Sequence, residues 1–102
     1  MILKKKYSGI TVPVLTPVLA DETVDEQGYR TLIKYMLDNG VHGIFTCGTL
    51  GETMALTQAE RDRAIRIAAD ASQGKAKVFA GVMDTSTKRV IENIKRIEDA
   101  GC

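Results

Sequence analysis

The stretch Cys47-Gly48-Thr49-Leu50-Gly51-Glu52 places a thiol, a hydroxyl and a carboxylate around two glycines, directly after the apolar run Ile44-Phe45-Thr46. Such a loop can present backbone N–H groups to an anion, because glycine puts no Cβ in the way. Thr49 adds a hydroxyl that both donates and accepts. Glu52 supports two readings, a general base or a carboxylate that fixes the loop by accepting backbone N–H bonds. Its place beyond the glycine turn favours the second. Cys47 needs a neighbouring base to act as a nucleophile. No histidine is placed to serve, so a buried free thiol at a strand end is expected. The lone histidine, His42, precedes the strand, away from the end where parallel α/β proteins bind ligands, and reads as surface or structural. Asp84-Thr85-Ser86 ends a later apolar run and could line the same face, although helix capping by Ser86 or Thr87 explains it equally well.

The elements that must position these residues follow a repeated grammar. Gly9 to Pro17 reads as a β-branched strand stopped by Pro17, with Pro13 suited only to an edge, an end or a bulge. Asp25 can cap a helix with apolar Tyr29, Leu32, Ile33, Met36 and Leu37 on one stripe, closed by Gly40. The strand Ile44 to Cys47 follows. Thr57-Gln58-Ala59-Glu60 then reads as a capping box, in which Thr57 accepts from the Glu60 N–H and Glu60 reaches back to the Thr57 N–H. The helix it starts carries Ala64, Ile65, Ala68 and Ala71 inward, leaves Arg61, Asp62, Arg66 and Asp70 to water, and closes at Gly74. A third strand, Lys77 to Met83, precedes a helix with Val90, Ile91, Ile94 and Ile97 buried.

The strand starts near Ile10, Ile44 and Val78 are 34 residues apart, the period of a βα unit with its loops. Strand-helix alternation implies parallel strands and right-handed crossovers. A sheet of only three parallel strands leaves both edges and one face uncovered, so the α/β pattern is read as the first three βα units of an eight-unit TIM barrel. Residues 1–102 would then be the N-terminal part of one barrel domain that this chain does not complete.

Composition excludes several classes. The chain has 102 residues, 44% of them apolar and 26% charged, with 14 basic against 13 acidic side chains. That balance suits an ordinary globular domain and offers no field for nucleic acid. Lys4-Lys5-Lys6 is the only charge run and reads as a solvated lead-in. No apolar run approaches bilayer length and no secretory leader follows the lysines, so a cytoplasmic, membrane-free location is the default expectation. Cys47 and Cys102 have no metal spacing and no disulfide framework. Neither a nucleotide-binding G-x-G-x-x-G nor a G-x-x-x-x-G-K-[ST] pattern occurs, which lowers a phosphate-binding reading.

Gly9, Thr16-Pro17, Gly48-Thr49-Leu50-Gly51-Glu52 and Leu56-Thr57-Gln58-Ala59-Glu60-Arg61, in that order, resemble the N-terminal part of the dihydrodipicolinate synthase and N-acetylneuraminate lyase family. The resemblance runs through all 102 residues, about a third of such a barrel. It implies a pyruvate- or 2-keto-acid-handling lyase that forms a lysine Schiff base, needs no cofactor or metal, and assembles as a homo-oligomer when complete. The family takes its lysine from the sixth strand and a tyrosine shuttle from near the fifth, so neither lies in this chain. Lys34, Lys75, Lys77 and Lys95 fall in helices or at the amino end of a strand and are not carried over. The resemblance does carry over to the loop. Thr49 matches the hydroxyl of the proton relay, and Gly48, Thr49 and Leu50 match the segment that holds the substrate carboxylate. Leu50 departs from the second threonine usual in the synthases, which leaves open a hydratase-aldolase or another keto-acid aldolase. An alternative of another class is a non-catalytic fragment that assembles through its exposed strand edges.

Overall fold

Each 34-residue period folds into one strand and one helix. In the computed structural model, which describes residues 7–102, β1 (Thr11–Pro13), β2 (Gly43–Thr46) and β3 (Lys77–Ala80) alternate with α1 (Glu26–Asp38), α2 (Gln58–Ser72) and α3 (Thr87–Ile97). A single 3₁₀ turn, Thr53–Ala55, separates β2 from α2. The run Lys4-Lys5-Lys6 lies outside the described residues. The strands form one parallel sheet in the order β1-β2-β3, with Val12 beside Ile44 and Ile44 beside Val78.

Helix starts follow the side chains expected of them. Asp25 accepts from the Gly28 N–H at 3.0 Å, Thr57 from the Glu60 N–H at 3.3 Å and Ser86 from the Arg89 N–H at 3.2 Å. Each satisfies one of the amides that a helix leaves unpaired at its amino end. Gly40 and Gly74 take φ of 87° and 74° where α1 and α2 end, as left-handed closures require. The core gathers Val14, Val24, Tyr29, Ile33, Ile44, Ala64, Ile65, Ala68, Val78 and Ile97 between sheet and helices.

Successive strand residues point to opposite faces. Ile44 and Thr46 face the helices, since the Thr46 hydroxyl pairs with that of Tyr29 on α1. Phe45 therefore faces the other way, with its register partners Pro13 and Phe79. Pro13 and Phe79 are not fully covered by the described residues, as expected for the inward face of a barrel whose other strands are absent from this chain.

Several expectations need correction. The first strand is three residues long rather than nine, with Pro13 at its end and its missing N–H on the side away from β2. The Val14 N–H still reaches the Phe45 carbonyl at 3.0 Å before the chain turns away. The third strand stops at Ala80. The capping box at Thr57 is only half formed. Glu60 accepts from the Val24 N–H at 2.9 Å and from Arg63 at 3.2 Å, which ties α2 to the loop before α1 instead of closing back on Thr57. Arg61, expected in water, is buried, and Asp62 is partly covered by Arg96, whose Nε donates to it at 2.7 Å. On α3 the buried positions are Asn93 and Ile97, whereas Ile91 and Ile94 are 46% and 45% exposed. Only one flank of α3 meets α2, so the stripe is wider than the contact available to it among the described residues.

Candidate functional site

The site is built at the carboxyl ends of the three strands, around the loop that β2 runs into. Cys47 leaves the strand in a left-handed conformation, φ 56°, and Glu52 takes another, φ 53°, before the 3₁₀ turn. These two non-glycine residues make the turns, while Gly48 and Gly51 have no positive φ. The glycines are needed for space. A Cβ on Gly48 would collide with the edge of the Phe45 ring, and one on Gly51 would lie 3.1 Å from the Thr16 hydroxyl and 3.2 Å from the Val14 carbonyl. The carbon-free approach foreseen toward an anion is thus, in this chain, an approach of the loop to the strands beneath it.

Inside the loop the Glu52 N–H donates to the Thr49 carbonyl at 3.0 Å, and the Thr53 N–H to that of Gly48 at 3.4 Å. Among the described residues, the N–H groups of Gly48, Thr49, Leu50 and Gly51 donate to no backbone carbonyl. Successive amides without a carbonyl partner in a turn are the kind of group that can receive an anionic oxygen. Thr49 and Leu50 stand in solvent, with Leu50 49% exposed, while Gly48 and Gly51 are buried beneath. The structure thus brings Gly48, Thr49 and Leu50 together in one turn, with Thr49 and Leu50 on its exposed side and Gly48 buried. Among the described residues the Glu52 carboxylate makes none of the backbone contacts expected of it, and its backbone supplies the tie instead.

Cys47 is fully buried, its thiol 3.7 Å from the Arg61 carbonyl oxygen, and burial raises its pKa. That favours the unreactive thiol form. Burial likewise raises the pKa of Tyr29, so the Tyr29–Thr46 pair is a neutral brace below the loop. His42 sits at the opposite, amino end of the sheet, where its Nδ1 accepts from the Ile10 N–H at 2.9 Å and its ring occupies the space a Cβ on Gly9 would need. Its role there is structural.

Behind the loop lies a polar cluster that sequence reasoning missed. Arg61 donates to the Met83 carbonyl at 2.6 Å and faces the Asp84 carboxylate at 3.6 Å. Asp84 also accepts from the Thr85 N–H at 2.8 Å and from Asn93 at 3.2 Å, and these bonds lower its pKa. Asp84 is therefore committed to holding the β3–α3 loop, and Ser86 to capping α3. The available signal was the one break in the α3 stripe, Asn93, whose amide also donates to the Val82 carbonyl at 3.0 Å. Two further hydroxyls near the loop, Thr16 and Thr53, are buried with no partner among the described residues.

A family model described as the dihydrodipicolinate synthetase family matches residues 6–102. The chain belongs to the dihydrodipicolinate synthetase family. Among curated members, the 4-hydroxy-tetrahydrodipicolinate synthase of Chloroherpeton thalassium is 41% identical over 98 residues, covering 96% of this chain and 32% of its own length. That of Methanothermobacter thermautotrophicus is 36% identical, covering 94% of this chain and 34% of its own length. Among solved structures, the dihydrodipicolinate synthase of Aquifex aeolicus superposes with a TM-score of 0.88 at 30% identity, over 94% of this chain and 32% of that one. A prophage protein of the same family from E. coli K12, solved in complex with pyruvate, gives 0.88 at 32% identity over the same shares. The chain thus spans about a third of the length of the family members it matches. The three βα units are those of a TIM barrel.

Proposed function

We propose that this chain is the N-terminal part of a single barrel domain, spanning residues 1–102, in a family lyase acting on a pyruvate-like 2-keto acid through a lysine Schiff base outside these residues. Its own contribution is to hold and orient. The observation that carries this reading is the run of unspent amides at Gly48 to Gly51 on the carboxyl-end loop of β2, within a chain that matches the family throughout. A keto-acid carboxylate suits a turn of N–H donors, and Thr49 can pass a proton beside it because a hydroxyl gives one as it takes another. The Schiff base requires an amine nucleophile. Lys34 pairs with Asp38 on the outer surface of α1, and Lys75 and Lys77 stand at the amino end of β3, so none of these serves. Leu50 offers its backbone N–H but no hydroxyl, which favours an aldolase or hydratase-aldolase as readily as a synthase.

Borohydride reduction in the presence of pyruvate tests the reading. The complete protein should gain one covalent adduct on a lysine beyond residue 102, and the chain of residues 1–102 none. Specific trapping on a lysine within these residues overturns the division of labour.

A second reading is favoured by the outer edges of β1 and β3, which pair with no other strand among the described residues, together with the exposed Ile91 and Ile94. On this reading the chain assembles with another copy and has no catalysis of its own. Unpaired strand edges and uncovered apolar side chains both favour association. A compact monomer in sedimentation excludes it.

A further inference from the structure

The peptide between Cys47 and Gly48, from which the loop springs, is held from two sides. On one side is β3: the Gly81 N–H donates to the Thr46 carbonyl at 2.8 Å, and a Cβ on Gly81 would stand 2.7 Å from the Cys47 carbonyl carbon and 3.2 Å from the Gly48 nitrogen. On the other side is α2, whose Arg61 carbonyl faces the Cys47 thiol at 3.7 Å. One residue joins the two sides. The guanidinium of Arg61 crosses from α2 to the chain just beyond Gly81, donating to the Met83 carbonyl at 2.6 Å and facing Asp84 at 3.6 Å. Both charged side chains are close to nine-tenths covered, at 10% and 11% exposure. A guanidinium placed so presents a fixed, planar fork of donors, so it sets the separation of the elements it joins.

We propose that Arg61 is a positioning residue for the Cys47–Glu52 loop. It clamps the Met83–Asp84 segment to α2, keeps Gly81 pressed on the Cys47–Gly48 peptide, and so fixes the direction in which the Gly48 and Thr49 amides point. It touches no substrate. Asn93 and Arg89 complete the clamp from α3, through Asp84 at 3.2 Å and 3.6 Å. The consequence for substrate rests on the keto-acid reading above. The consequence for the backbone does not.

The test therefore reads both, in the complete protein, with Arg61→Met and Arg61→Lys. Hydrogen exchange of the segment 46–51 should quicken in Arg61→Met by about tenfold and be partly restored in Arg61→Lys, which keeps one donor toward Met83. The pyruvate concentration giving half-maximal borohydride trapping should rise about tenfold in Arg61→Met, with the limiting rate of trapping changed less than about threefold, since misdirected donors weaken ground-state binding first. A fall in melting temperature with unchanged exchange at 46–51 and unchanged half-saturation marks a structural role only and overturns the proposal. If the unaltered protein traps no pyruvate, the keto-acid reading fails. The exchange comparison then decides the positioning role alone, with faster exchange at 46–51 supporting it and unchanged exchange rejecting it.

Discussion

A Cβ placed on Gly81 would collide with the carbonyl oxygen of Cys47. The obstacle is backbone, so no rotamer change relieves it, and strand β3 can lie against the root of the loop only with glycine there. Gly81→Ala should cost about 1–3 kcal/mol, the range for overpacking a tight site, measured by urea unfolding. Gly74→Ala provides the contrast. It has open space around it but φ of 74°, so its penalty comes from backbone conformation and leaves the loop undisturbed.

The buried hydroxyls of Tyr29 and Thr46 satisfy one another. Tyr29→Phe leaves Thr46 with only the weak sulfur contact of Cys47 and should cost about 1–3 kcal/mol. Adding Thr46→Val removes the orphaned partner as well, so the double variant should lose less than the sum of the two single losses. A double-mutant cycle in urea gives the coupling.

Asp84 gives the fold an acid-sensitive contact. The Thr85 N–H and Asn93 bonds hold its pKa below the ordinary 3.8, so the carboxylate favours the folded state. That stabilisation is complete above the unfolded value and is lost as pH falls through the lower, folded one. Asp84→Asn should flatten the acid limb of the stability profile at and below the ordinary carboxylate range. Thermal melts across that range check it, and an unchanged slope refutes it.

Glu60 and Thr57 separate two functions that a capping box would merge. Thr57→Ala should cost about 1 kcal/mol and fray the first turn of α2. Glu60→Ala should instead release the Val24 N–H and quicken hydrogen exchange in the loop before α1, 36 residues away in sequence.

Thr49→Val tests the proposed relay. In the complete protein it should lower turnover of the keto acid by about 10²-fold, the scale of a lost proton-transfer group, and leave pyruvate trapping at equilibrium largely intact. Thr49→Ser should recover most of the rate. Steady-state kinetics on both variants distinguish a hydroxyl requirement from loss of shape.

The order of elements was legible because it depends on local signals. Asp25, Thr57 and Ser86 carry the oxygens that helix amides need, and Gly40 and Gly74 sit where only a left-handed residue closes a helix. The site loop was legible from its glycines, though for a different reason than expected, since their lack of a side chain serves packing on Phe45 and Thr16. The Arg61 clamp was not legible. A helical position reads as exposed when it holds arginine, and only the later arrival of Met83 and Asp84 over α2 supplies the carbonyl and carboxylate that make burial tolerable. The inward positions of α3 failed for the complementary reason: periodicity shows which face is apolar, but not how much of it a neighbour covers.

The sheet order β1-β2-β3 repeats the order of the chain, so each strand pairs with the strand made just before it. During synthesis, β2 can dock on β1 while β3 is still within the ribosome, and the Glu60 tie to Val24 can form before Asp84 emerges to meet Arg61. Assembly can therefore proceed vectorially, one unit at a time, without waiting for a distant partner strand. On that route the turn after β2 takes shape early, and the Arg61 clamp on it is among the last contacts of these units to close.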